Sequence, residues 1–529
     1  MTPGQTQGMS PDAVRCLVTG ATGYIGGRLV PELLAAGHRV RVMSRSAAKL
    51  RDYPWIEQVE VAEADATDVD AVRAACQDVD VVYYLIHSIG TGKDFERTDR
   101  LTAETVAAAA ADAQVGRIVY LGGLLPVGEE LSAHLRSRAE VGEILLGSGV
   151  PTAVLRAAVI IGSGSASFEM LRYLTERLPA MITPRWVHSK IQPIAIRDVL
   201  RYLVGCADLP SEVNRAFDIG GPDVLDYRQM MLRYAAVAGL PRRLIVPVPV
   251  LSPWWSSHWV GLVTPVPNAL ARPLVESLRN TVVCAEHDIA EYLPDPPDGL
   301  IGFERAVQLA LTRIQDYDVP TRWSSASVPG APSSPLPTDP DWAGGSLYVD
   351  EREQVVQADP GALWRIVEGI GGEHGWYSFP LAWWVRGLLD RLVGGVGLRR
   401  GRRNPFDLYV GEALDFWRVE EIRAPDLLRL RAEMRVPGLA WLELRVAVED
   451  GCTIYRQKAL FHPHGLLGQL YWWSVAPFHG VVFGSMVRNI AAAAEQLDRN
   501  HAQPAQADSA DVQRAAARTQ PTGTEGISR

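Results

Sequence analysis

The pattern of apolar and polar positions divides the chain into two regions with different secondary structure. From residue 14 to about 205, short apolar runs alternate with amphipathic or alanine-rich stretches, a rhythm typical of parallel strands joined by helices. From residue 346 to 498, apolar and charged residues often alternate one by one, as in Leu427 to Arg435. Such alternation predicts antiparallel strands with one buried and one solvated face. The pattern therefore predicts an α/β unit followed by an α+β unit.

The first unit is predicted to hold a doubly wound parallel sheet with right-handed crossovers. Its helices are expected at Arg28 to Leu34, near Asp68, at Leu101 to Gln114 and at Arg197 to Val204. The predicted strands are Cys16 to Val18, His38 to Met43, Val59 to Ala62, Asp80 to Ile86, Arg117 to Leu121 and Val154 to Ile161.

The second unit is predicted to consist of an antiparallel sheet and two helices, Pro360 to Ile370 and Phe478 to Leu497. We expect the second helix to cover the apolar face of the sheet. The predicted strands are Leu347 to Val356, Asp407 to Glu412, Asp415 to Ile422, Leu427 to Arg435, Ala440 to Glu449 and Cys452 to Phe461.

Stretches poor in apolar periodicity set the expected domain boundaries. Residues 1–13 and 499–529 are polar and are predicted to be disordered, and residues 319–345 are rich in Pro, Ser and Gly and are predicted to be a linker. The two domains are therefore expected at residues 14–318 and 346–498.

Composition excludes several classes of function. A net charge of −9 argues against nucleic acid as a partner. The five cysteines are scattered, with no CxxC pair and no His/Cys cluster at ligand spacing, so we expect a reducing compartment and no metal site. The N-terminus is polar and lacks an apolar signal core, which favours a cytoplasmic protein, with membrane association as the alternative.

Two stretches without Asp, Glu, Lys or Arg raise the question of membrane contact. Leu244 to Ala271 holds five prolines and three tryptophans, and Leu466 to Val487 is close to the length of a span. Buried core or a membrane-facing surface is the favoured interpretation of both. The tryptophans of the first stretch suggest a hydrophobic lid or a membrane-contacting edge, with burial against the second domain as the alternative; they are Trp254, Trp255 and Trp259.

The strongest candidate for chemistry is the stretch Cys16 to Gly27, which reads CLVTGATGYIGG. Its glycines lie between a strand and a helix, where they permit a tight turn, a close approach of the backbone to a pyrophosphate, and close packing of helix on strand. The phosphates would lie at the helix N-terminus. The predicted cofactor-binding residues of the turn are Gly20, Thr22, Gly23, Tyr24, Ile25 and Gly26.

Further candidates follow the next three strands. Ser44 and Arg45 stand where NAD-binding sites carry an acidic residue, and they suit a 2′-phosphate, which favours NADP over NAD, although Arg45 could equally be a solvated charge. Asp65, followed by Ala66, could contact the adenine amino group or cap the next helix. The loop after the fourth strand could hold a ligand and contributes Leu85, His87 and Ser88.

These motifs carry a family resemblance. TGATGYIGG, the Asp65–Ala66 pair, YYLIHS and FDIGGPD (residues 217–223) resemble the short-chain dehydrogenase/reductase superfamily. Within it, the chain is most similar to the atypical branch that includes NmrA-like proteins and the 39 kDa-type accessory subunit of respiratory complex I. The resemblance extends from about Val14 to Gln315 and implies a Rossmann-type fold that binds NAD(P).

The chain departs from this superfamily at the catalytic positions. The resemblance implies a Ser after the fifth strand and a Tyr-x-x-x-Lys on the next helix, whereas this chain has Gly122–Gly123, His134 and Arg138. Arg138 could still bond the nicotinamide ribose, and His134 could act as an acid or base. Alternatively, His134 is an ordinary polar residue in a site that has lost its chemistry.

The second unit resembles the helix-grip (START/Bet v 1-like) fold, and the run from Gly375 to Pro405 resembles a domain of unknown function found behind atypical short-chain dehydrogenases in bacteria. The helix-grip resemblance implies an apolar cavity between sheet and helix. Six tryptophans either line it or form ordinary core: Trp383, Trp384, Trp417, Trp441, Trp472 and Trp473. A basic cluster, either a solvated loop or a site for anionic headgroups or phosphate, comprises Arg399, Arg400, Arg402 and Arg403.

Together the patterns predict an NADP-dependent oxidoreductase that acts on a hydrophobic small molecule, such as a quinone, an isoprenoid or a lipid-like carbonyl. NAD remains the alternative cofactor. Two alternatives lack hydride transfer: an NAD(P)H-binding sensor, and a membrane-peripheral assembly factor with a lipid-binding second domain.

Overall fold

The computed structural model describes residues 13–51, 53–88, 95–126, 128, 131–248, 263–264, 266–267, 280–315, 346–371, 375–378 and 408–517. The chain divides into two units, residues 1–345 and 346–529. Several sequence predictions lie outside the described residues: the linker at 319–345, most of the N-terminal segment, Trp254, Trp255, Trp259, Trp383, Trp384 and the Arg399 to Arg403 cluster.

The first unit is built on a seven-stranded parallel sheet with the order β11-β6-β5-β4-β1-β2-β3. This confirms the predicted Rossmann-like, doubly wound sheet. The strands are β1 (Arg15–Thr19), β2 (Arg39–Ser44), β3 (Glu60–Glu63), β4 (Val81–Tyr84), β5 (Arg117–Gly123), β6 (Thr152–Ala157) and β11 (Arg215–Ile219). The predicted sixth strand is in fact two, because the chain leaves the sheet after Ala157 and forms β7 (Ile160–Ile161), which pairs with β10 (Ile194–Ala195).

Eight helices of the described chain belong to this unit. They are α1 (Gly26–Ala35), α2 (Val69–Ala75), α3 (Phe95–Asp112), α4 (Ala133–Leu146), α5 (Ala166–Arg177), α6 (Ile196–Gly205), α7 (Tyr227–Val237) and α8 (Phe303–Gln315). Asp68 caps α2 by accepting hydrogen bonds from the backbone N–H groups of Asp70 and Ala71. Asp65 is therefore not the cap of this helix.

Two further small sheets lie beyond the main sheet. β8 (Ala180–Pro184) pairs in parallel with β13 (Leu244–Val248), and β9 (Lys190–Ile191) pairs antiparallel with β12 (Leu225–Asp226). Ile182, Leu244 and Val246 leave apolar surface exposed on the first of these sheets.

The second unit holds a six-stranded antiparallel sheet with the order β14-β19-β18-β17-β16-β15. Its strands are β14 (Tyr348–Val356), β15 (Ala413–Leu414), β16 (Trp417–Arg423), β17 (Leu427–Ala432), β18 (Gly438–Glu449) and β19 (Cys452–Pro463), and its helices are α9 (Pro360–Glu368) and α10 (Gly465–Ala517). The apolar side chains of one sheet face pack with those of both helices. Sheet and helix agree with the predicted α+β unit, while the helix-grip assignment stays a prediction.

Two local predictions in this unit are wrong. The part of the predicted strand Asp407 to Glu412 that the structure describes, residues 408–412, is not a strand and contains a turn, in which the backbone N–H of Glu412 bonds to the carbonyl of Tyr409. The last helix begins at Gly465 rather than Phe478 and continues to Ala517, through residues 499–517 that were expected to be disordered.

The charged face of the antiparallel sheet is less solvated than the alternation predicts. Arg429 and Glu443 are only 7% and 2% exposed. They lie in a row of alternating charge across five strands, because the strand register places Glu351, Lys458, Glu443, Arg429 and Glu421 opposite one another in turn. Arg429 donates to both flanking carboxylates, at 2.9 and 2.7 Å. Pairing with opposite charges on neighbouring strands thus permits charged side chains to be buried, which the alternation within a single strand does not reveal.

The tryptophans of the second unit divide between core and surface. Trp417 is buried in the core, where its ring lies 6.1 Å from that of Trp376. Trp441 and Trp472 are also buried, but Trp473 is 66% exposed and does not line an interior space. No helix in the described part of the chain combines the length and apolar character needed to cross a bilayer.

Candidate functional site

The glycine turn between β1 and α1 leaves no room for side chains at two of its positions. Gly20 has a φ of +70°, and a Cβ atom there would lie 2.7 Å from the carbonyl oxygen of Leu85. A Cβ atom at Gly26 would collide with the carbonyl of Gly20. The turn is closed by a 2.9 Å hydrogen bond from the N–H of Gly23 to the carbonyl of Gly20. Glycine is therefore required here for steric reasons.

The turn is tied to the end of β4. The Thr19 hydroxyl donates to the carbonyl of Tyr83 at 3.0 Å and accepts from the N–H of Leu85 at 3.2 Å. Because β1 and β4 are neighbours in the sheet, the glycine turn and the Leu85–Ser88 segment lie side by side at its carboxyl edge. This is the edge at which ligands bind in open α/β sheets.

The remaining residues of the turn face the first helix. The guanidinium of Arg28 lies 4.2 Å from the centre of the Tyr24 ring and donates to the Tyr24 carbonyl at 3.0 Å. The Tyr24 hydroxyl occupies the space that a Cβ atom at Gly162 would fill. Ile25 is the N-cap position of α1 and packs on the core, and Thr22 is partly exposed in the turn.

The ends of β2 and β3 bring two predicted residues together. Arg45 is exposed, and its charge acts on Asp65, lowering the pKa of that carboxyl group. Hydrogen bonds from the Thr67 hydroxyl and N–H, at 2.7 and 2.9 Å, are the larger cause of the lowered pKa. Ser44 is partly exposed, and its hydroxyl donates to the carbonyl of Ser46 at 3.1 Å, while Ala66 is buried.

Helix α4 carries His134 and Arg138 toward the same edge. The hydroxyl of Ser132 caps the helix by accepting a hydrogen bond from the N–H of Leu135. Arg138 donates to the carbonyl of Leu121, near the end of β5, at 3.2 Å. The Arg138 side chain also interacts with the hydroxyl of Tyr120, whose pKa is raised mainly by burial and is lowered in part by Arg138.

The structure explains the two glycines that end β5. A Cβ atom at Gly122 would lie 3.1 Å from the Tyr120 ring, and one at Gly123 would lie 3.1 Å from a methyl group of Leu135. Both distances are tighter than ordinary van der Waals contact. A serine at either position would therefore displace a neighbouring side chain.

Burial and the charge of Arg138 lower the pKa of both histidines of the site. Desolvation by the surrounding protein lowers the pKa of His134 to about 3, and the positive charge of Arg138 contributes. The pKa of His87 is also lowered to about 3, by desolvation, then by Arg138 and then by His134. His87 is nevertheless an exposed residue, so the desolvation of its ring is less complete than that of His134. Both rings are consequently neutral at pH 7, next to one fixed cation.

One residue that the sequence analysis missed connects the loop to the helix. The buried carboxylate of Asp99, on α3, accepts from the N–H of Ser88 at 2.7 Å and from the Ser137 hydroxyl at 3.0 Å. Ser137 lies between His134 and Arg138 on α4. The signal in the sequence was an acidic residue whose spacing continues the buried face of the alanine-rich helix. Because that helix was predicted to begin at Leu101, Asp99 was left out of it.

Two family models match parts of the chain. Residues 20–157 match a family described as NAD(P)H-binding, and residues 342–486 match a family described as a protein of unknown function, DUF2867. The first match includes the glycine turn, the Arg45–Asp65 pair and α4. The first unit is therefore an NAD(P)-binding domain.

Curated relatives resemble the first unit. The mitochondrial NADH dehydrogenase [ubiquinone] 1 alpha subcomplex subunit 9 of Mus musculus is 26% identical over 260 residues, which cover 48% of this chain and 67% of the relative. The chloroplastic divinyl chlorophyllide a 8-vinyl-reductase of Oryza sativa is 26% identical over 272 residues, covering 48% and 65%. The chain thus spans about two thirds of the length of these relatives, and the predicted atypical short-chain dehydrogenase resemblance is confirmed.

Solved structures also resemble this unit. A triphenylmethane reductase of Citrobacter sp. in complex with NADP(H) is 18% identical, with a TM-score of 0.45, and the match covers 56% of this chain and 99% of the reductase.

Proposed function

We propose that this chain is an NADP-dependent oxidoreductase acting on a hydrophobic small molecule, with His134 and Arg138 as its catalytic residues. The observation that carries the proposal is the placement of His87 after β4 and of His134 and Arg138 on α4, where Arg138 bonds to the Leu121 carbonyl on the neighbouring strand β5 and its charge acts on both histidines. A neutral hydrogen-bond donor and a fixed cation together suit the reduction of a polarised double bond.

The glycine turn fits the pyrophosphate of a dinucleotide. Its backbone is packed so tightly that Cβ atoms at Gly20 and Gly26 would collide with it, and glycines in such a turn let the backbone approach a pyrophosphate. When bound, the nicotinamide would supply or accept a hydride. Arg138 would hold the nicotinamide ribose and stabilise negative charge on a substrate oxygen. Arg45 and Ser44 would hold the 2′-phosphate at the other end of the site, which supports NADP over NAD.

The low pKa of His134 refines its role. Imidazolium with a pKa of about 3 is scarce at pH 7, so His134 would not act there as a positively charged acid. Its neutral ring can still donate an N–H hydrogen bond to a substrate oxygen on which charge develops, as neutral histidine does in other enzymes. Water would then provide the proton that completes the reduction.

Two observations support a hydrophobic substrate. Exposed apolar side chains lie on the β8–β13 sheet of the first unit, including Ile182 and Leu244. The rice relative is named as a reductase of divinyl chlorophyllide a. Quinones, isoprenoids and lipid-like carbonyls are the substrate classes to test.

The test is NADPH oxidation by His134→Ala against a panel of quinones and aldehydes. We expect turnover to fall by roughly 100-fold or more, with NADPH affinity nearly unchanged. His287→Ala, which removes a half-exposed histidine elsewhere in the unit, is the control and should behave as wild type. Retained turnover in His134→Ala would rule out the catalytic role.

The second candidate function is an NAD(P)H-binding protein without hydride transfer. The glycines at 122 and 123 favour it, since the serine of the usual reaction is absent and a side chain at either position would require its neighbour to shift. Tight NADPH binding with no consumption across the whole panel would support this function over the first. A role in a protein assembly, as in the mitochondrial relative, would require a partner that co-purifies with the chain.

A further inference from the structure

The first five turns of α10 present an apolar patch to solvent. Leu467 is 72% exposed, Trp473 66% and Phe478 67%. The patch consists of Leu466, Leu467, Leu470, Trp473, Phe478 and Val481. From Leu466 to Val481 it extends over about 22 Å of helix. Exposed clusters of large apolar side chains usually mark an interaction site.

The opposite side of the same turns is fixed to the sheet. The Trp472 ring stacks on Tyr348 at 4.8 Å between centroids and lies 5.8 Å from Phe461, with planes within 7° of parallel in both pairs. Gly468 packs so closely that a Cβ atom there would collide with the carbonyl of Pro437. The helix cannot rotate to bury the patch without breaking these contacts.

The patch ends where the helix becomes polar. No Asp, Glu, Lys or Arg occurs from Gly465 to Val487. The next outward-facing residues are Arg488 and Asn489, and further exposed positions of the helix include Gln496 and Arg499. The apolar surface is therefore a local feature of α10 and is not a property of the whole helix.

Exposed basic side chains lie at both ends of the patch, and the one carboxylate of the sheet that approaches the helix there, Asp350 beside His479, is paired with Arg352. Arg488 follows it on the helix, and the exposed residues His464 and Arg435 lie at its start, where the backbone N–H of His464 bonds to the Pro437 carbonyl. Within residues 464–494 the helix and its first residue carry no carboxylate side chain. An apolar surface between cations is complementary to an anionic bilayer surface.

We propose that this patch docks the protein on an anionic lipid surface, with the first turns of α10 lying in the plane of the interface. Trp473 and Phe478 would enter the headgroup region, and Arg488 and Arg435 would face anionic headgroups. Pro477 lacks an N–H, so the Trp473 carbonyl cannot accept the usual hydrogen bond from the residue four positions later. The hydrated interface can supply that donor, whereas the hydrocarbon core cannot.

A second copy of the chain fits the patch less well. In a two-fold pair with the helices antiparallel, the Arg488 end of one copy would face the Arg435 end of the other. Like charges would then meet at both edges of a weakly polar interface, which costs binding energy. Anionic lipid compensates the same charges.

The experiment is flotation of the full-length protein with vesicles of phosphatidylcholine alone or with 30 mol% phosphatidylglycerol, a composition chosen by analogy with anionic leaflets. We expect binding that is stronger on the anionic vesicles. Trp473→Ser combined with Phe478→Ser should weaken it by at least about tenfold, because two large apolar contacts are lost. Arg488→Gln should weaken binding to anionic vesicles alone, by about fivefold.

Tyr409→Ser combined with Val410→Ser is the matched control, since these residues are equally exposed in the same unit but lie off the helix. The control should bind as wild type, and circular dichroism should show that every variant is folded. Absence of wild-type binding to either vesicle, or unchanged binding of the Trp473/Phe478 variant, would overturn the proposal. A concentration-dependent dimer that the same variant abolishes would assign the patch to a second copy instead.

Discussion

The glycine turn and helix α4 lie at the same edge of the sheet, but the structure constrains them in different ways. In the turn, backbone atoms occupy the space where Cβ atoms of Gly20 and Gly26 would lie, so the residue type follows from geometry. On α4, the proposed catalytic residues His134 and Arg138 belong to a regular helix that continues from Ala133 to Leu146. Backbone geometry thus fixes the residue type in the turn, whereas the residues proposed for catalysis would act through their side chains.

The sharpest test of this difference is Gly26→Ala. The added methyl group would collide with the Gly20 carbonyl, so the turn must open. We expect both the free energy of unfolding and the NADPH affinity to fall, the first by about 3 kcal/mol and the second by about 100-fold. Urea denaturation and a fluorescence titration with NADPH measure the two quantities.

Gly23→Ala is the matched variant, because a Cβ atom there meets only one atom within 4 Å, at 3.2 Å, and the residue is exposed. It should weaken NADPH binding by obstructing the approach of the pyrophosphate while leaving stability close to wild type. Equal loss of stability in the two variants would show that Gly26 has no special steric role.

Asp99→Ala tests whether the contact between α4 and the Leu85–Ser88 segment contributes to stability and to NADPH binding. Its buried carboxylate accepts from Ser88 and from Ser137, and removing it leaves both donors without their partner. We expect the free energy of unfolding to fall by about 2–3 kcal/mol, with weaker NADPH binding. Asp99→Asn, which keeps an acceptor for Ser88, should lose less. If Asp99→Ala binds NADPH as wild type does, the two elements are independent.

Arg45→Ala extends the comparison to the adenosine end of the site. If Arg45 bonds a 2′-phosphate, NADPH affinity should fall by roughly tenfold or more, and NADH affinity should stay unchanged. Lys49→Ala removes a nearby exposed charge and is the control. An equal loss for both cofactors, or none for either, would contradict the NADP preference.

His134 also contributes a pH dependence to the stability of the first unit. Its pKa is about 3 in the folded protein, against an ordinary value of 6.5. The unfolded chain therefore takes up the proton first, and the free energy of unfolding should fall as the pH is lowered from about 6.5 towards 3. His134→Gln should flatten this decrease in urea titrations at several pH values. A wild-type curve as flat as that of the variant would show that the pKa of His134 is not lowered.

Much of the fold could be predicted from the sequence because apolar runs and glycines act locally. All five strands from β1 to β5 lie where short apolar runs occur, each within a few residues of the predicted limits. The early start of α10 could not be read in this way, since a charge-free stretch has no polar face to reveal its helical period. The burial of Arg429 and Glu443 depends on register between strands, which no single strand encodes.

The candidate site was only partly accessible from the sequence. The glycine turn could be recognised because an apolar strand precedes it and a helix follows it. Arg45 and Asp65 follow strands that end at one edge of the sheet. The low pKa of His134 and the bridge made by Asp99 depend on packing between elements distant along the chain. Motifs therefore predicted the cofactor class, and three-dimensional contacts were needed to refine the chemistry.

The two glycines that end β5 have a consequence for the evolution of this site. A side chain at Gly123 would press against Leu135, and one at Gly122 would press against Tyr120. A mutation that restores serine at either position should therefore be harmful unless its neighbour has first become smaller. Each of these positions is thus coupled to one named neighbour, so that the substitution of either glycine is a change of two residues' packing and not of one.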